Sequence, residues 1–505
     1  MPPPFRQLDC NSRANRGRLA CMITATVSAA RLTALLDGLP AGRPAYARLA
    51  EAVRSLIVDG RIELGARLPS ERDLAEALGA SRTTVTRAYD LLRERGFLAS
   101  RRGSGSVAML PVPGGASPSA GILRPYEEGD DEGIIDLTCA ALRAPVGIED
   151  AYQTALEVLP RYLAGAGYTT VGLPELRAAL AEQYAARGLA TNPDQILITS
   201  GAVIATLLAV RSLVQPGQRV LIEDPTFPNT AAALRSAGLR LTPAPVEPRG
   251  WDVDHVASVI RRGRPSVAVL IPDFHNPTGA LMSDADRHVL AEAMASASTT
   301  AVVDETVCSI VLDPVAMPAP MGAHAPSAIS VGSSSKSHWG GLRTGWIRTP
   351  GPVGDALIAQ RVAGDGGAAL LEQLVLLHLL RTDRVDADRG RLADLRLARD
   401  AAVAALRDRL PDARFVVPVG GLSLWVELPG LSAGDVALHA RERGLLLAAG
   451  PWFAIGRGLG SFLRLPYVRP PAVMADAVAR LAGAVEDVRR GAPTSARPGL
   501  TPLVA

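Results

Sequence analysis

The stretch best equipped for chemistry is Ser333-Ser334-Ser335-Lys336, with Gly340-Gly341-Leu342-Arg343 close behind it. Lys336 is the only lysine in a chain of 505 residues; the other positive side chains are arginine. A guanidinium stays protonated, whereas an ammonium can lose its proton and attack a carbonyl. Small residues precede the lysine, and glycines beside Arg343 let backbone come close to a ligand. That layout suits an aldehyde cofactor bearing a phosphate, with lysine for the aldehyde and hydroxyls plus arginine for the phosphate.

Four further groups follow strand-like runs in the same way. Ser200-Gly201-Ala202-Val203 follows Ile196–Thr199 and opens a helix, so the Gly201, Ala202 and Val203 backbone can hold a phosphate. Glu223-Asp224-Pro225-Thr226-Phe227 follows a second run and offers an aromatic face. Asn276-Pro277-Thr278-Gly279 lies just beyond a third, and Asp304 immediately follows a fourth. Each alone reads equally well as a turn, a cap or a core aromatic. Five in order, counting Ser333 and Lys336, fit pyridoxal 5′-phosphate. A carboxylate at Asp304 keeps a pyridine nitrogen protonated, and a protonated ring is an electron sink. Asn276 suits the ring hydroxyl and Phe227 the ring face. Ser333 and Arg343 suit the phosphate, with the Gly201–Val203 backbone. Arg464, in Phe462-Leu463-Arg464-Leu465, can pair bidentately with an amino acid carboxylate.

These groups need a scaffold of alternating strands and helices. The runs are short, continuous and β-branched, as in parallel strands buried on both faces. Helical patterns such as 202–213 and 284–295 separate them, predicting an α/β body with a mostly parallel sheet over residues 134–490. Ligands in such sheets gather at the carboxyl ends of strands. Residues 108–133, rich in Pro, Gly, Ser and acids, read as a flexible linker; 491–505 reads as a disordered tail.

Residues 1–42 read as a disordered or extended segment, carrying a charge of +3. Residues 43–107 carry +4, from twelve arginines and eight acids, so the remainder is acidic. A basic front suggests an anionic partner for that part alone. Within it, apolar positions 46, 49, 50, 53, 56 and 57 mark one helix face. Ser70 caps a short helix that stops at Gly79, and Ser81 caps a third helix running to about Arg95. Two helices joined by a tight turn form a helix-turn-helix pattern. The start of the third helix offers Arg82, Thr83, Thr84, Thr86 and Arg87 to a major groove. A hairpin wing follows, with Arg101 and Arg102 at its tip. The four cysteines, at 10, 21, 139 and 308, lack metal-ligand spacing and read as reduced thiols of a cytosolic protein. The longest apolar helical run, 370–380, is too short for a bilayer, and the N-terminus lacks a secretory pattern.

The front resembles the GntR type of winged helix-turn-helix over residues 45–107. The matching runs are Gly65-Ala66-Arg67-Leu68-Pro69-Ser70-Glu71-Arg72-Asp73-Leu74-Ala75, Leu78-Gly79-Ala80-Ser81-Arg82-Thr83-Thr84-Val85 and Ala88-Tyr89. The resemblance implies that Arg67, Arg72, Arg82 and Arg87 meet double-stranded DNA, with Gly105 at the wing. Residues 134–490 resemble the fold-type I aminotransferases of class I/II. The motifs are Tyr168…Gly172…Leu176-Arg177, Thr199-Ser200-Gly201-Ala202, Asp224-Pro225, Asn276-Pro277-Thr278-Gly279, Ser333–Lys336 with Arg343, and Arg464. A tyrosine at the Tyr168 position reaches the neighbouring subunit's phosphate in that family, so the resemblance implies a homodimer. The fusion of the two is similar to the MocR subfamily of bacterial regulators.

Two departures stand out. The tyrosine usual shortly after the ring aspartate is missing from Asp304-Glu305-Thr306-Val307, and the polar pair usual after Ser-Gly-Ala is Val203-Ile204. The first tilts the reading toward a sensor. The leading expectation is a transcriptional regulator that senses an amino compound or the cofactor itself. The alternative is a working aminotransferase with an accessory DNA-binding front, and a third reading is a DNA-bound dimer with a cofactor-free body. The segment 456–460 reads as a mobile loop near Arg464.

Overall fold

The structure is a computed structural model that describes residues 26–36, 45–58, 61–62, 66–101, 105–109, 133–382, 385–456 and 458–492. The chain divides into two compact units, Met1–Ile122 and Leu123–Ala505.

In the first unit, helices α1 (Ala29–Leu35), α2 (Ala45–Val58), α3 (Glu71–Leu78) and α4 (Arg82–Glu94) precede an antiparallel hairpin of β1 (Leu98–Arg101) and β2 (Gly105–Ala108). Ser70 and Ser81 cap α3 and α4, accepting from the N–H of Asp73 at 3.2 Å and of Thr84 at 3.1 Å. Such a cap is worth about 1 kcal/mol. Gly79 ends α3 at φ 60, a conformation that costs a side chain-bearing residue energy. The predicted face of α2 is buried through Leu49, Ala50, Val53, Leu56 and Ile57.

The expectation of an extended or disordered segment up to residue 42 is corrected between Thr26 and Leu36. Ser28 caps α1, the Val27 N–H donates to the Arg67 carbonyl at 2.8 Å, and Val27, Leu32, Leu35 and Leu36 are buried. The signal was present, since 32, 35 and 36 fall at helical spacing. It was masked by the arginine-rich, proline-led residues before it. The rest of 1–42, the linker except for Ala108, Met109 and Gly133, and the tail beyond Ala492 lie outside the described residues.

The second unit begins with β3 (Ile135–Asp136), α5 (Ile148–Val158) and α6 (Pro174–Ala186). A seven-stranded sheet then builds up from β4 (Ile196–Thr199), β5 (Arg219–Asp224), β6 (Arg240–Pro245), β7 (Val267–Leu270), β8 (Thr300–Asp304), β9 (Ile329–Ser333) and β10 (Gly345–Arg348). Between these strands run α7 (Ala202–Leu213), α8 (Pro228–Ser236), α9 (Val253–Gly263), α10 (Asp284–Ala297), α11 (Met321–His324) and α12 (Ser334–Ser337). After the sheet come α13 (Asp355–Gly364), α14 (Leu370–Arg381) and the long α15 (Val385–Arg409). The chain closes with β11 (Ser423–Glu427), α16 (Ala433–Glu442), β12 (Leu445–Leu446), β13 (Ala448–Ala449), β14 (Phe462–Pro466) and α17 (Pro471–Arg489).

The large sheet has the order β4-β10-β9-β8-β7-β5-β6, and only β10 runs against its neighbours. The strands expected from sequence are all in it. β4, β7 and β9 are buried at every position, because helices cover both faces. Parallel pairing brings the carboxyl ends of β5, β7, β8 and β9 to one edge. A separate three-stranded sheet, β11-β14-β13, carries Arg464 on its central strand. Under the large sheet's edge lies a buried ion pair: Arg287 Nη2 meets Asp273 Oδ1 at 2.6 Å, with both side chains fully buried. Among the described residues no helix is long and apolar enough to cross a membrane.

Candidate functional site

Lys336 stands on the single turn α12, directly after β9. Ser333 caps that turn, its hydroxyl accepting from the Ser335 N–H at 3.2 Å. The Lys336 Nζ donates to the Ala140 carbonyl at 2.8 Å. Burial pushes the ammonium down to about 8; Arg464 and Arg343 act the same way, while Cys139 and Asp304 oppose. The lysine is thus set to release its proton near neutral pH.

Asp304 ends β8, one strand away. Its Oδ1 accepts from the Thr306 N–H at 2.9 Å. Burial raises its pKa, against the pull of the Thr306 hydrogen bonds and the Lys336 charge. A carboxylate so placed favours a cationic partner. Asn276 follows β7, and its Oδ1 accepts from Arg464 Nη1 at 3.3 Å. Arg464 is fully buried, donates through Nη2 to the Thr138 carbonyl, and lies 4.9 Å from the Phe453 ring centre. Burial lowers it to about 10.

At the start of α7, Gly201 has φ 115. A Cβ there would stand 2.9 Å from Arg343 Nη2, and a Cβ on Gly345 would stand 2.7 Å from the Gly201 carbonyl carbon. Only glycine permits this close crossing of α7, β10 and the Arg343 side chain. Arg343 itself is exposed and donates to the Ser200 carbonyl at 3.1 Å. The backbone of Gly201, Ala202 and Val203 and the Arg343 guanidinium therefore share one cradle. Phe227 is half-buried at the start of α8, following Asp224, whose two oxygens accept from the Ile455 N–H at 2.9 Å and the Gly456 N–H at 3.0 Å. The loop expected to be mobile, 456–460, is tied to that carboxylate at its first residue, Gly456. Tyr168 is 82 % exposed, and a Cβ on Gly366 would stand 3.9 Å from its ring.

In the first unit, Arg67, Arg72, Arg82 and Thr83 are exposed, and the three arginines line a hollow of about 350 Å³ between α3, α4 and the wing. A Cβ on Gly105 would stand 3.3 Å from Arg67 Nε, so the wing glycine lets that arginine lie close. Three expected groove-reading side chains are engaged within the fold. The Thr84 hydroxyl is 2.8 Å from the Ser81 hydroxyl as part of the cap. The Thr86 hydroxyl donates to Glu71 at 2.7 Å, which holds the Glu71 carboxyl below its ordinary range. The Arg87 guanidinium sits 4.4 Å from the Tyr46 ring centre. Arg102 and the Arg101 side chain lie outside the described residues.

With this geometry in place, comparison with known proteins is decisive. Residues 163–481 match the family model "Aminotransferase class I and II", and residues 45–107 match "Bacterial regulatory proteins, gntR family". The probable rhizopine catabolism regulatory protein MocR of Rhizobium meliloti is 30% identical over 382 residues, covering 69% of this chain and 76% of that one. The chain belongs to the MocR subfamily of GntR-type regulators. The regulator TauR of Rhodobacter capsulatus is 29% identical over 87% of this chain and 96% of its own. Among solved structures, LysN, the alpha-aminoadipate aminotransferase of Thermus thermophilus complexed with N-(5′-phosphopyridoxyl)-L-leucine, aligns at a TM-score of 0.65. It shares 28% identity and covers 71% of this chain and 94% of that one.

At the two positions where the sequence differs from the family pattern, the side chains are apolar. Val307 packs on the apolar core, and Ile204 is 37% exposed at the start of α7. Glu305, whose role was undefined, turns away from Asp304. It meets Arg187 at 3.1 Å and accepts from Ser330 at 3.3 Å. Sequence reasoning missed the segment around Thr138–Ala140, whose carbonyls hold Arg464 and Lys336. Its one sequence trace is an Asx turn, in which Thr138 donates to Asp136 from both N–H and hydroxyl. Also missed were Asp365, which accepts from Ser200 at 3.0 Å, and Arg93, which joins Glu71 at 3.1 Å and the wing's Ser106 at 3.0 Å.

Proposed function

We propose that this chain is a DNA-binding transcriptional regulator whose body binds pyridoxal 5′-phosphate and, through it, senses an amino compound or the cofactor supply. The observation that carries this reading is the convergence of the sole lysine with Asp304, Asn276, Arg464 and the Gly201–Arg343 cradle, in a chain that also folds a winged helix-turn-helix.

The cradle and donor set fit the cofactor. Lys336 would hold its aldehyde carbon, and Ser333, Arg343 and the Gly201, Ala202 and Val203 backbone its phosphate. Asp304 would keep a proton on the ring nitrogen. Asn276, with Oδ1 turned to Arg464, would offer its N–H₂ to the ring hydroxyl, and Phe227 would cover the ring face. Arg464 would take an effector's carboxylate. When bound, the cofactor supplies an electrophilic carbon and an electron sink. Tyr168, with Leu163 68% and Leu156 53% exposed nearby in sequence, supports a homodimer in which Tyr168 serves the other subunit's phosphate. The protein would be cytoplasmic, with operator DNA as its macromolecular partner.

Capture of pyridoxal phosphate by Lys336 should accelerate roughly tenfold per pH unit and level off near pH 8. The sign follows from burial, which disfavours the ammonium and so makes the neutral amine available at lower pH. At pH 7 its neutral fraction is ~300-fold that of an ordinary lysine. Stopped-flow absorbance across pH 6–11 would check this; a rate still climbing past about pH 10 would refute it.

On the DNA side, Arg82→Ala should weaken operator binding about tenfold or more and flatten its salt dependence. Arg87→Ala should cost less, because Arg87 already rests on Tyr46. Fluorescence anisotropy at several salt concentrations would measure both. The whole reading is tested with a duplex selected from a random pool. Titrating the full chain with pyridoxal phosphate and then with a panel of amines should shift operator affinity at least tenfold. An operator affinity identical in every cofactor state would end the sensor role. A transaminase reading draws support from the intact Lys336–Asp304 pair and from a relative named 2-aminoadipate transaminase in Thermus thermophilus, 30% identical over 311 residues. Turnover of 2-aminoadipate or another amino acid with a keto acid by the full chain would favour it.

A further inference from the structure

Behind α12 lies a second cavity, of about 700 Å³. Its walls are the end of α6, the turn after β8, the end of α14 and the start of α15. Lys336, Asp304, Asn276, Arg343 and Arg464 do not line it; Ser333 and Ser337, on either side of Lys336, do. The cavity thus shares a wall with the lysine site without being part of it. Its volume falls within the roughly 300–1,000 Å³ of small-molecule sites.

The lining is apolar with a cationic surplus. Leu142, Trp346, Leu379 and Leu395 contribute apolar surface. The charged side chains are Arg187, Arg381 and Arg391 against Glu305 and Asp388. Glu305 is 3% exposed and engaged with Arg187 and Ser330, whereas the Arg187 side chain is 30% exposed. The nearby Cys308 thiol is pushed up to about 12 by burial, so it adds no negative charge near neutrality. An apolar box of this kind suits a small organic anion with an apolar body.

Arg391 connects the cavity to Lys336. It donates through Nη1 to the Ser337 carbonyl and through Nη2 to the His338 carbonyl, both at 2.8 Å. These are the carbonyls directly after the lysine. A carboxylate adds an opposite charge and can accept from a guanidinium through two parallel bonds, which a single carbonyl cannot do. An acid bound in the cavity would therefore compete for Arg391 and loosen its hold on α12.

We propose that this cavity binds a small organic acid with an apolar body, and that Arg391 transmits its occupation to the Lys336 segment. Binding is independent of the cofactor reading; transmission rests on it. Calorimetry on the full chain, with and without pyridoxal phosphate, tests both, using phenylacetate and its neutral counterpart phenylacetamide. Phenylacetate should bind saturably, and phenylacetamide at least tenfold more weakly. Ala186→Trp and Ser309→Trp, two exposed positions on the lining, should each weaken phenylacetate at least tenfold, while Arg464→Gln should not. The two tryptophans guard against one variant failing to fold. Saturating phenylacetate should also change the affinity for pyridoxal phosphate at least threefold, an effect lost in Arg391→Gln. No saturable binding, binding unaffected by either tryptophan, or binding lost in Arg464→Gln alone would overturn the site; the last would place the acid in the cofactor pocket. An unchanged cofactor affinity would overturn the transmission. Failure of pyridoxal phosphate to bind at all would remove the cofactor reading and the transmission, and leave calorimetry to decide the cavity.

Discussion

Changing Lys336 to alanine should abolish the visible absorption that pyridoxal phosphate gains on binding and lower its affinity about 100-fold or more, near 3 kcal/mol. The expectation is sharp because the chain has no other lysine to substitute for it. The loss should also be incomplete. The Gly201–Arg343 cradle and Asp304 are untouched, so they would still hold phosphate and ring weakly. Lys336→Arg separates charge from nucleophilicity, because a guanidinium keeps the charge but does not attack a carbonyl. It should behave like the alanine variant in absorption. Both variants should still bind operator, since the described first unit builds its own core, but neither should respond to the cofactor. Absorption spectra beside anisotropy measure the two effects independently. A full visible band in Lys336→Ala would remove the basis of the proposed function.

Changing Arg287 to methionine should destabilise the body by about 3–5 kcal/mol. Arg287 is fully buried, donates to Asp273 at 2.6 Å, and also donates to the Met282 and Ala319 carbonyls at 3.1 Å each. Its removal leaves the buried Asp273 carboxylate with the longer contact to Arg187, 3.4 Å away. A buried charge that has lost its shorter partner is costlier than the loss of both charges of the pair together. The double variant Arg287→Met with Asp273→Leu should therefore recover much of the deficit. Two units need not unfold together, so the measurement is the midpoint of the body's own transition in urea. If the single variant matched the parent, the pair would not be holding the sheet edge. Because Arg187 also meets Glu305, the single variant should disturb the second cavity's wall, and its phenylacetate affinity is a useful companion reading.

Several absences from the sequence reading share one feature: the partners are distant in sequence. Thr86 looked like a groove-reading residue because it lies on the exposed end of a recognition helix. Its hydroxyl is taken by Glu71, which packing of α3 on α4 brings to it. Arg87 has the same history with Tyr46. Glu305 had no readable role until α6 brought Arg187 across to it, more than a hundred residues away along the chain. Asp365 and Arg391 carry no motif, and the return of α13 and α15 to the large sheet gives Asp365 its contact with Ser200 and Arg391 its contact with the Ser337 carbonyl. The helix Ala29–Leu35 was overlooked for a different reason: its apolar spacing is short and sits beside a polar, proline-led stretch.

The sequence by itself determined what depends on near neighbours and on chemical type. Serine caps and apolar periodicity placed α3, α4 and α7, because helix geometry repeats within four residues. Continuous β-branched runs placed five strands of the large sheet, and the residues that follow them formed the list of site groups. A single lysine named the amine, since no other side chain in the chain offers that chemistry. Tertiary structure alone decided what lies opposite each group: the Ala140 carbonyl on Lys336, Asn276 and Thr138 on Arg464, and Gly345 against Gly201. Those contacts are set by how layers pack, and packing joins residues whose separation along the chain leaves no local pattern to read.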